Sequence, residues 1–320
     1  MSQIKVLVSG ATGFIGAAVA NELLTSPEIQ VWGGIRKSGK KLPVGIMPFH
    51  TEDLGAPGCC EFPAGISALV HCAARVHVMN DLSAGTLAEF RKVNVEGTLN
   101  LARQAAEAGV KRFVFISSIK VNGEGTEFGK PYTADDAPAP VDPYGISKLE
   151  AEQGLLGLAS ETGMEVTIIR PVLVYGPGVK GNFASMINLV EKGIPLPLGA
   201  IHNQRSLVCI DNLVDLIIRC IDHPAAANQV FLAADGEDLS TTELLRIVAK
   251  AIERPSRLIP VPAAVLQFGA TLLGRKAMAQ RLLGSLQVDI LKTRELLDWT
   301  PPVSVDEGLK RCFCSGKDYP

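Results

Sequence analysis

The sequence has little that would commit the protein to a membrane or to a charged polymer. None of its apolar runs approaches the ~20 residues that a membrane span needs, and its first residues lack the basic, apolar and small-residue regions of a signal peptide. The 320 residues carry 31 basic and 33 acidic side chains, so the net charge of −2 creates no overall field that would recruit nucleic acid or an anionic membrane. We therefore expect no nucleic-acid partner and no integral membrane span.

The seven cysteines lack the spacing of a metal site. Cys59 and Cys60 are adjacent, one residue separates Cys312 from Cys314, and there is no CxxC pair or cluster of histidines and cysteines. We predict no bound metal, and reduced thiols in a cytoplasmic protein. Internal repeats and low-complexity linkers are absent as well, and the 47% of hydrophobic residues indicates a globular chain.

The first half of the chain alternates short apolar runs with amphipathic helical patterns, which begin near Gly13, Leu82 and Pro143. The predicted strands are IKVLVS, IQVWGGI, GIMPFH, ALVHCA, RFVFIS and EVTIIR. Apolar strands that alternate with helices indicate a parallel sheet covered on both faces. The predicted fold class is therefore α/β, a doubly wound parallel sheet of the Rossmann type, with a smaller, mostly helical C-terminal domain.

Gly- and Pro-rich loops divide the second half, and we predict two domains. The predicted boundaries are 1–175 with about 206–234 for the dinucleotide-binding domain, and 176–205 with 235–320 for the substrate-binding domain. NQVFLAA is a further strand, Asp211 is the expected N-cap of one helix, and Ser240 and Glu243 form a capping box for another. The stretch VPAAVLQFGATLLG is predicted to be a core-facing helix, with attachment to a membrane interface as the alternative.

The motif GATGFIG places Gly10, Gly13 and Gly16 between a strand and the opening of a helix. Glycines there permit a tight turn, close approach of the backbone to a pyrophosphate and close packing of helix on strand, while the helix N-terminus stabilises the anion. A chance match is the alternative in a chain with 31 glycines, but the strand–loop–helix context favours dinucleotide binding. The residues between the glycines, Thr12, Phe14 and Ile15, belong to the same predicted site.

The end of the second predicted strand bears on the choice of dinucleotide. An NAD site usually places an Asp or Glu there, which binds the adenine ribose hydroxyls. This sequence has Ile35 at that position, followed by Arg36 and Lys37. A carboxylate would repel the 2′-phosphate of NADP, whereas a guanidinium binds it bidentately. We therefore predict NADP(H), with NAD(H) as the alternative cofactor and a solvated basic loop as the alternative role of this segment.

The segment DPYGISKLEAE places Tyr144 and Lys148 one turn apart on the same face of a predicted helix, which Asp142 caps. A phenol with a pKa of ~10 is a poor base at neutral pH, but a nearby ammonium group and the positive end of the helix both lower that pKa. This spacing alone is common on exposed helices. Ser117 and Ser118 strengthen the catalytic interpretation, because they follow a strand whose carboxyl end faces the predicted cofactor crevice. The alternative is a turn or helix-cap role, which we expect for one of the two.

Nine motifs resemble those of extended short-chain dehydrogenases/reductases that act on nucleotide sugars as epimerases, dehydratases or reductases. The motifs are GATGFIG, EDL at 52–54, HCAA at 71–74, NVEGT at 94–98, FVFISSIKVNG, YGISK, RPVLVYGPG, RSLVCIDNLVD at 205–215 and LLDWTPPVSVDEGL at 296–309. They follow the family's order over nearly the whole chain. Together they are specific for the superfamily and less so for any one substrate.

The resemblance implies roles for individual residues. Tyr144 would be the catalytic acid/base, Lys148 would lower its pKa and hold the nicotinamide ribose, and Ser118 would polarise the reacting oxygen. The implied cofactor contacts outside the glycine loop are Arg36, Lys37, Asp53, Leu54, Ala73, Ala74, Asn94, Ser117, Pro171 and Val174. The implied substrate contacts are Lys120, Lys180, Asn182 and Arg205.

The chain departs from the family pattern at two places. Leu173 replaces an asparagine in RPVLVYGPG, and Asn182 could supply the missing amide contact. Lys120 and Asn122 follow the serines where sugar epimerases often have Thr and Tyr. His71 and His77 invite a catalytic interpretation as well, but His71 ends a buried strand and is predicted to be a core residue with satisfied hydrogen bonds.

The leading hypothesis is an NADPH-dependent reductase of a UDP-linked 4-keto-6-deoxy sugar for bacterial surface polysaccharide, because SSIKVNGE and the basic end of the second strand resemble such reductases. The alternative is a 4-epimerase of UDP-glucose or UDP-N-acetylglucosamine with bound NAD, against which Ile35 counts. A 4,6-dehydratase is disfavoured because SSIKVNG offers no acidic pair. A non-catalytic NADP(H)-sensing protein is disfavoured because Tyr144 and Lys148 are both present. We expect a homodimer.

Overall fold

The order of strands and helices follows the alternation predicted from the sequence. The computed structural model describes residues 4–35, 41–50, 62–76, 86–179, 181–274 and 276–313, with the backbone alone at 182 and 276–278. The strands in these ranges are β1 (Ile4–Ser9), β2 (Ile29–Ile35), β3 (Met47–His50), β4 (Ile66–His71), β5 (Arg112–Ile116), β6 (Glu165–Pro171), β7 (Leu173–Tyr175), β8 (Arg205–Cys209), β9 (Gln229–Ala233) and β10 (Asp238–Leu239). The helices are α1 (Phe14–Leu24), α2 (Thr86–Phe90), α3 (Gly97–Glu107), α4 (Pro143–Thr162), α5 (Asn182–Glu191), α6 (Ile210–Asp222), α7 (Thr241–Ala251), α8 (Ala263–Leu272), α9 (Lys276–Leu283), α10 (Leu291–Leu297) and α11 (Val305–Arg311). A stretch of π-helix, Arg91–Glu96, joins α2 to α3, and 3₁₀ turns occupy Ile119–Val121 and Pro224–Ala226.

Seven of the strands form one parallel sheet, in the order β3–β2–β1–β4–β5–β6–β9. Helices cover both of its faces, so the predicted doubly wound α/β fold is confirmed. The direction of winding changes between β1 and β4, and ligands of such sheets bind at this switch point, beyond the carboxyl ends of the strands. All seven predicted strands are present, although β4 begins two residues before ALVHCA and ends at His71.

Two apolar layers hold the helices on the sheet. On one face, Val6 and Val8 of β1 belong to a buried cluster with side chains of α1 and α6. On the other face, Leu7 of β1 and Leu69 of β4 pack with side chains of α3 and α4. Because successive strand residues point to opposite faces and both faces are buried, the strands read as nearly continuous apolar runs.

A smaller unit follows β6. The strands β7, β8 and β10 form a second sheet in the order β10–β8–β7, and its core joins Tyr175 and Leu207 to side chains of α7 and α11. The predicted capping box at the start of α7 is confirmed: the Ser240 hydroxyl accepts from the Glu243 amide, and the Glu243 carboxylate accepts from the Ser240 amide.

The predicted N-cap of α6 is wrong. Cys209, the last residue of β8, is the N-cap, because the strand runs directly into the helix. Asp211 lies instead in the first turn, where a carboxylate is stabilised by the positive end of the helix. Its carboxylate accepts a hydrogen bond from Arg311 at 2.8 Å, which ties α11 to α6.

The predicted core-facing role of α8 is also wrong. None of its residues is buried, and Val265, Phe268 and Leu272 are 58%, 68% and 72% exposed. No α8 side chain belongs to any of the three buried apolar clusters, and α8 packs against α9, outside both sheets. No helix within the described ranges is both long enough and apolar enough to cross a bilayer.

A buried ion pair connects the long helix α4 with the end of β6. Arg170 donates from Nε to Glu152 Oε1 at 3.0 Å and from Nη2 to Oε2 at 2.6 Å, and the two side chains are only 4% and 3% exposed. Ser117 donates to the same carboxylate at 2.5 Å, and Arg170 Nη1 donates to Asn122 Oδ1 at 3.0 Å. We call Ser117, Asn122, Glu152 and Arg170 the Arg170 cluster.

Replacing Arg170 by methionine should destabilise the fold strongly, because it leaves the Glu152 carboxylate buried without its cation. Breaking a buried pair in this way costs about 3–5 kcal/mol of unfolding free energy. The matched control is Arg91→Met, which breaks the exposed pair of Arg91 with Glu150 of the same helix and should change stability little, because exposed ion pairs are weak. Urea denaturation of both variants measures the difference, and equal effects would contradict the role given to the buried pair.

Candidate active site

The glycine loop lies between β1 and α1, and its neighbours leave no room for larger side chains. Gly10 has a φ of +70°, and a Cβ there would lie 2.8 Å from the amide nitrogen of Ala73. A Cβ on Gly16 would lie 2.7 Å from the carbonyl carbon of Gly10. Gly13 is the exposed N-cap of α1, and its amide donates to Gly10 O at 2.8 Å. The loop therefore brings bare backbone next to the first-turn N–H groups of α1, which have no acceptor within the helix, and a dinucleotide pyrophosphate fits such a cradle.

Other predicted cofactor residues surround this loop. Ala73 and Ala74 follow β4 and are half-buried, with the Ala73 amide 3.4 Å from Ser9 Oγ. Phe14 is exposed at the start of α1, and a Cβ on Gly176 would lie 3.6 Å from its ring, so the loop after β7 approaches α1. The remaining buried or half-buried positions in these elements are Thr12, Ile15, Pro171 and Val174.

Several predicted site residues lie outside the described part of the chain, whereas the substrate candidates Arg205 and Lys120 lie within it. Arg36, Lys37, Asp53, Leu54, His77 and Lys180, and the side chain of Asn182, lie outside the residues that the structure describes. Arg205 is in β8, and burial lowers the pKa of its guanidinium, although Glu124 nearby acts in the opposite direction. Its Nη1 donates to the carbonyl oxygen of Gly284 at 3.1 Å.

The three predicted catalytic residues are brought together by β5 and α4. Ser118 comes two residues after β5, and Tyr144 and Lys148 lie in the first two turns of α4. The Ser118 hydroxyl lies close enough to the Tyr144 phenol to lower its pKa, and it also accepts from the Lys120 amide at 3.3 Å. The ring of Phe90 meets the ring of Tyr144 edge-on, with 6.0 Å between the centroids. The Tyr144 ring therefore lies against an apolar side chain, with the Ser118 hydroxyl near its polar end.

The pKa of Tyr144 shifts against the direction predicted from the sequence. Burial raises this pKa to about 12 and the negative charge of Asp142 adds to the shift, while the hydrogen bond from Ser118 lowers it. The prediction that Lys148 lowers the pKa is wrong because burial dominates and the lysine ammonium is directed elsewhere. Its Nζ donates to the carbonyl oxygen of Ile116 at 2.8 Å.

Lys148 is itself fully enclosed. Its Nζ lies 4.3 Å from the centroid of the Phe115 ring. Burial lowers the pKa of this ammonium group to about 8, against the raising effect of Glu152 and Cys72. The lysine is therefore a buried cation that contacts a carbonyl oxygen and an aromatic face and is stabilised at longer range by the Glu152 carboxylate, one turn further along α4.

Lys120 was predicted to contact substrate, and the structure gives it another role. Its ammonium group is paired with Asp142 and, at 2.9 Å, with Glu124. Asp142 is the N-cap of α4, whose carboxylate accepts from the Gly145 amide at 2.7 Å. Lys120 thus fastens the turn after Ser118 to the start of the helix that carries Tyr144, because both of its partners are carboxylates of the protein itself.

Two further predicted cofactor residues have structural partners. Asn94 is buried in the π-helical stretch and donates to Ser147 Oγ at 3.0 Å, which is next to Lys148, so it supports the lysine through the helix. It also accepts from the Arg75 amide at 2.8 Å. Ser117 was predicted to contact the cofactor. Its hydroxyl instead donates to Glu152 within the Arg170 cluster.

His71 is a buried core residue, as predicted. Its Nδ1 is hydrogen-bonded to Ser9 Oγ at 2.6 Å and its Nε2 to Thr98 Oγ1 at 3.0 Å. Burial, with a smaller effect of the Lys148 charge, lowers the pKa of this imidazole to about 3. A neutral ring with both nitrogens engaged has no proton available for catalysis.

No role was assigned from the sequence to Glu152 and Arg170, although Arg170 is the first residue of the motif RPVLVYGPG. The signal that could have found Glu152 is its position four residues after Lys148, on the same face of a helix that is otherwise packed on the sheet. A carboxylate on a buried face needs a cation, and Arg170, at the end of an apolar strand, is the matching one.

With this site at the switch point of its sheet, the protein is an extended short-chain dehydrogenase/reductase. It belongs to the NAD dependent epimerase/dehydratase family, whose model matches residues 6–234.

Within this family, the chain is similar to proteins that act on or bind UDP-sugars. A UDP-glucose 4-epimerase of Vibrio cholerae is 50% identical over 309 residues, which cover 96% of this chain and 94% of that protein. The crystal structure of a UDP-glucose 4-epimerase of Thermotoga maritima with UDP-glucose has a TM-score of 0.76 at 24% identity, covering 97% of both chains, and shares the fold. MoeE5 in complex with UDP-glucose and NAD has a TM-score of 0.75 at 25% identity and covers 96% of this chain and 97% of its own.

The 4-keto-sugar reductase predicted from the sequence is wrong. The similarity to the Vibrio cholerae protein extends along almost the whole of both chains and favours the epimerase alternative. Epimerases and reductases share the Tyr144–Lys148 arrangement. SSIKVNGE and the basic residues after β2 did not distinguish the two classes of enzyme.

Replacing Gly16 by alanine should weaken cofactor binding strongly. The new Cβ would lie 2.7 Å from the carbonyl carbon of Gly10, and backbone cannot move aside as a flexible side chain can. We expect NADH to bind at least about tenfold more weakly, a loss of about 1.4 kcal/mol, measured by fluorescence titration. The matched control is Gly157→Ala in α4, where a Cβ meets nothing within 4 Å and binding should be unchanged. Binding of NADH by Gly16→Ala at the strength of the control would refute the cradle.

Proposed function

We propose that this protein is a 4-epimerase of a UDP-linked hexose, glucose or N-acetylglucosamine, with NAD as its cofactor. The single observation that carries the proposal is the 50% identity, over 96% of the chain, to the UDP-glucose 4-epimerase of Vibrio cholerae. Its support from geometry is the proximity of Ser118 to Tyr144, beside a glycine loop at the switch point of the sheet. A 4-epimerase needs both, a proton carrier and a dinucleotide at one crevice.

The residues present fit a nicotinamide dinucleotide. The glycine loop, with Ala73 beside it, would hold the pyrophosphate, and Lys148 would hold the nicotinamide ribose after its ammonium group turns from the Ile116 carbonyl. When bound, NAD supplies a hydride acceptor that is restored at the end of each cycle. Ile35 ends β2 where an acidic residue is usual for NAD, so the choice of NAD rests on the epimerase relative.

Residues of the chain itself would take one proton from the sugar and later return it. Tyr144 Oη would accept the proton of the sugar C4 hydroxyl as that carbon is oxidised, and would return it when the opposite face is reduced. Ser118 would donate a hydrogen bond to the same sugar oxygen. Because no net oxidation occurs, the protein needs no second substrate, which distinguishes it from a reductase.

The substrate site is proposed on the smaller unit. Arg205, Lys180 and Asn182 would contact the UDP group, and Leu173, which is exposed, stands where many relatives have an asparagine. We retain the division into a cofactor domain, 1–175 with about 206–234, and a substrate domain, 176–205 with 235–320. A homodimer stays a prediction, to be checked by light scattering.

The direct test is incubation of the purified protein with UDP-glucose and, separately, with UDP-N-acetylglucosamine. We expect the C4 epimer to form without net change in reduced nicotinamide, and the dinucleotide released from the protein to be NAD. Tyr144→Phe should lower turnover by about 10²–10⁴-fold while NAD stays bound. Stoichiometric loss of NADPH with a UDP-4-keto-6-deoxy sugar, without epimerisation, would instead identify a reductase.

Replacing Ser118 by alanine should move the pH dependence of epimerisation. The Ser118 hydrogen bond lowers the pKa of Tyr144, so its loss raises that pKa and leaves less phenolate at any pH below it. We expect kcat near neutral pH to fall about 10²-fold, as on loss of an oxyanion donor, and the rising limb of the pH profile to shift upward. Ser160→Ala, on the outer side of α4, should change neither quantity. A fall in kcat without any shift of the profile would contradict the coupling.

A further inference from the structure

The segment from Arg254 to Val288 differs in charge from the rest of the chain. Its 35 residues contain five basic side chains, Arg254, Arg257, Arg275, Lys276 and Arg281, and no aspartate or glutamate. The whole protein has a net charge of −2. We call this stretch the basic segment; its charge of +5 lies between Glu253 and Asp289, the acidic residues that flank it. Arg254, Arg257 and Arg281 are exposed.

The basic segment also contains the most exposed apolar helix surface that the structure describes. Val265, Phe268 and Leu272 follow one another at spacings of three and four residues, so they share one side of α8, and Leu273 continues it with 76% exposure. Ile259, just before the helix, is 50% exposed. Large apolar side chains that are grouped in this way mark an interaction surface, whereas single exposed ones do not.

We propose that the basic segment docks the protein on anionic phospholipid bilayers, with α8 lying in the plane of the interface. An interfacial helix buries apolar side chains at the level of the headgroups while cations beside it are attracted to anionic lipids. The basic segment offers both features in one continuous stretch. The ten-residue α8 is too short to span a bilayer, so the contact is peripheral.

Charge distinguishes a bilayer from a second copy of the chain as the occupant. A twofold interface pairs the same surface of both subunits. Docking of two basic segments would therefore bring together two stretches that each carry a sequence charge of +5, and no acidic residue within the segment offsets that charge. An anionic lipid surface is complementary to the same charge.

The basic segment is joined to the substrate side of the proposed active site. Its last residues pair with β8: the Ser206 amide donates to Leu286 O at 2.9 Å, and Arg205 Nη1 donates to Gly284 O at 3.1 Å. The Thr126 amide, in the loop that follows Ser118, donates to Ser285 O at 2.9 Å. Docking would therefore hold the substrate side of the enzyme at the membrane surface. This proposal does not depend on the epimerase activity.

Sedimentation with vesicles tests the docking. The full-length protein is mixed with vesicles of phosphatidylcholine alone or of phosphatidylcholine with phosphatidylglycerol, at low and high salt. We expect binding to the anionic vesicles only, weakened by salt. Arg281→Glu should weaken it about fivefold or more, since each cation near an anionic surface contributes roughly that factor. Phe268→Ser with Leu272→Ser should reduce binding at least about tenfold.

Two controls keep the result specific. Lys111→Glu reverses an exposed charge outside the basic segment, and Val44→Ser with Leu291→Ser removes two exposed apolar side chains outside it. Both should bind vesicles as the unchanged protein does, and all variants should keep the circular dichroism spectrum and the thermal unfolding midpoint of the unchanged protein. Absence of binding to anionic vesicles, or equal losses in the controls, would overturn the proposal. A second outcome would also overturn it: the unchanged protein forms a dimer, the double variant Phe268→Ser with Leu272→Ser is a monomer, and neither binds vesicles. The apolar side of α8 would then contact a second copy of the chain.

Discussion

The buried pair of Arg170 and Glu152 is the contact on which the geometry of the candidate site depends. Glu152 lies one turn beyond Lys148 on α4, and Arg170 lies at the carboxyl end of β6. The pair therefore sets how far α4 stands from the strand ends that form the crevice. Ser117 adds β5 to the same carboxylate. A charge pair without access to water is stable only when every polar atom finds a partner, so small displacements of α4 are costly.

The start of α4 is held by a second, separate group of charges. Lys120 joins the turn after Ser118 to the N-cap Asp142, and Asn94 holds Ser147 from the π-helical stretch. Tyr144 lies between these two attachments on α4. The position of its hydroxyl relative to Ser118 is therefore set by the contacts that hold the start of the helix. The same enclosure raises the pKa of Tyr144 and lowers that of Lys148. Removal of water opposes both charged forms, and hydrogen bonds such as that from Ser118 then decide how far the phenol can act as a base.

Charge in this protein has to be considered locally. A net charge near zero excluded an overall field, yet the basic segment carries five cations without an acid. The exposed side of α8 lies within that segment, which is why an apolar stretch assigned to the core by its composition is better explained as a surface. Neither the exposed apolar side of α8 nor the run of basic residues would indicate an interaction surface alone, because exposed apolar residues and basic loops are each common.

The sequence alone was enough for features whose causes lie within a few residues. The glycine loop follows from the need for bare backbone between strand and helix, the capping box of α7 from Ser240 and Glu243 three residues apart, and the parallel sheet from strands that are apolar on both faces. The catalytic pair was also predictable as a spacing. The function was not, because epimerases and reductases share that spacing, and similarity along the whole chain was needed to separate them. Only the tertiary structure decided where Ser117, Lys120 and the face of α8 point, and in which direction the pKa of Tyr144 shifts. Each of these depends on partners distant in the sequence and on the exclusion of water, and neither is encoded in a local pattern.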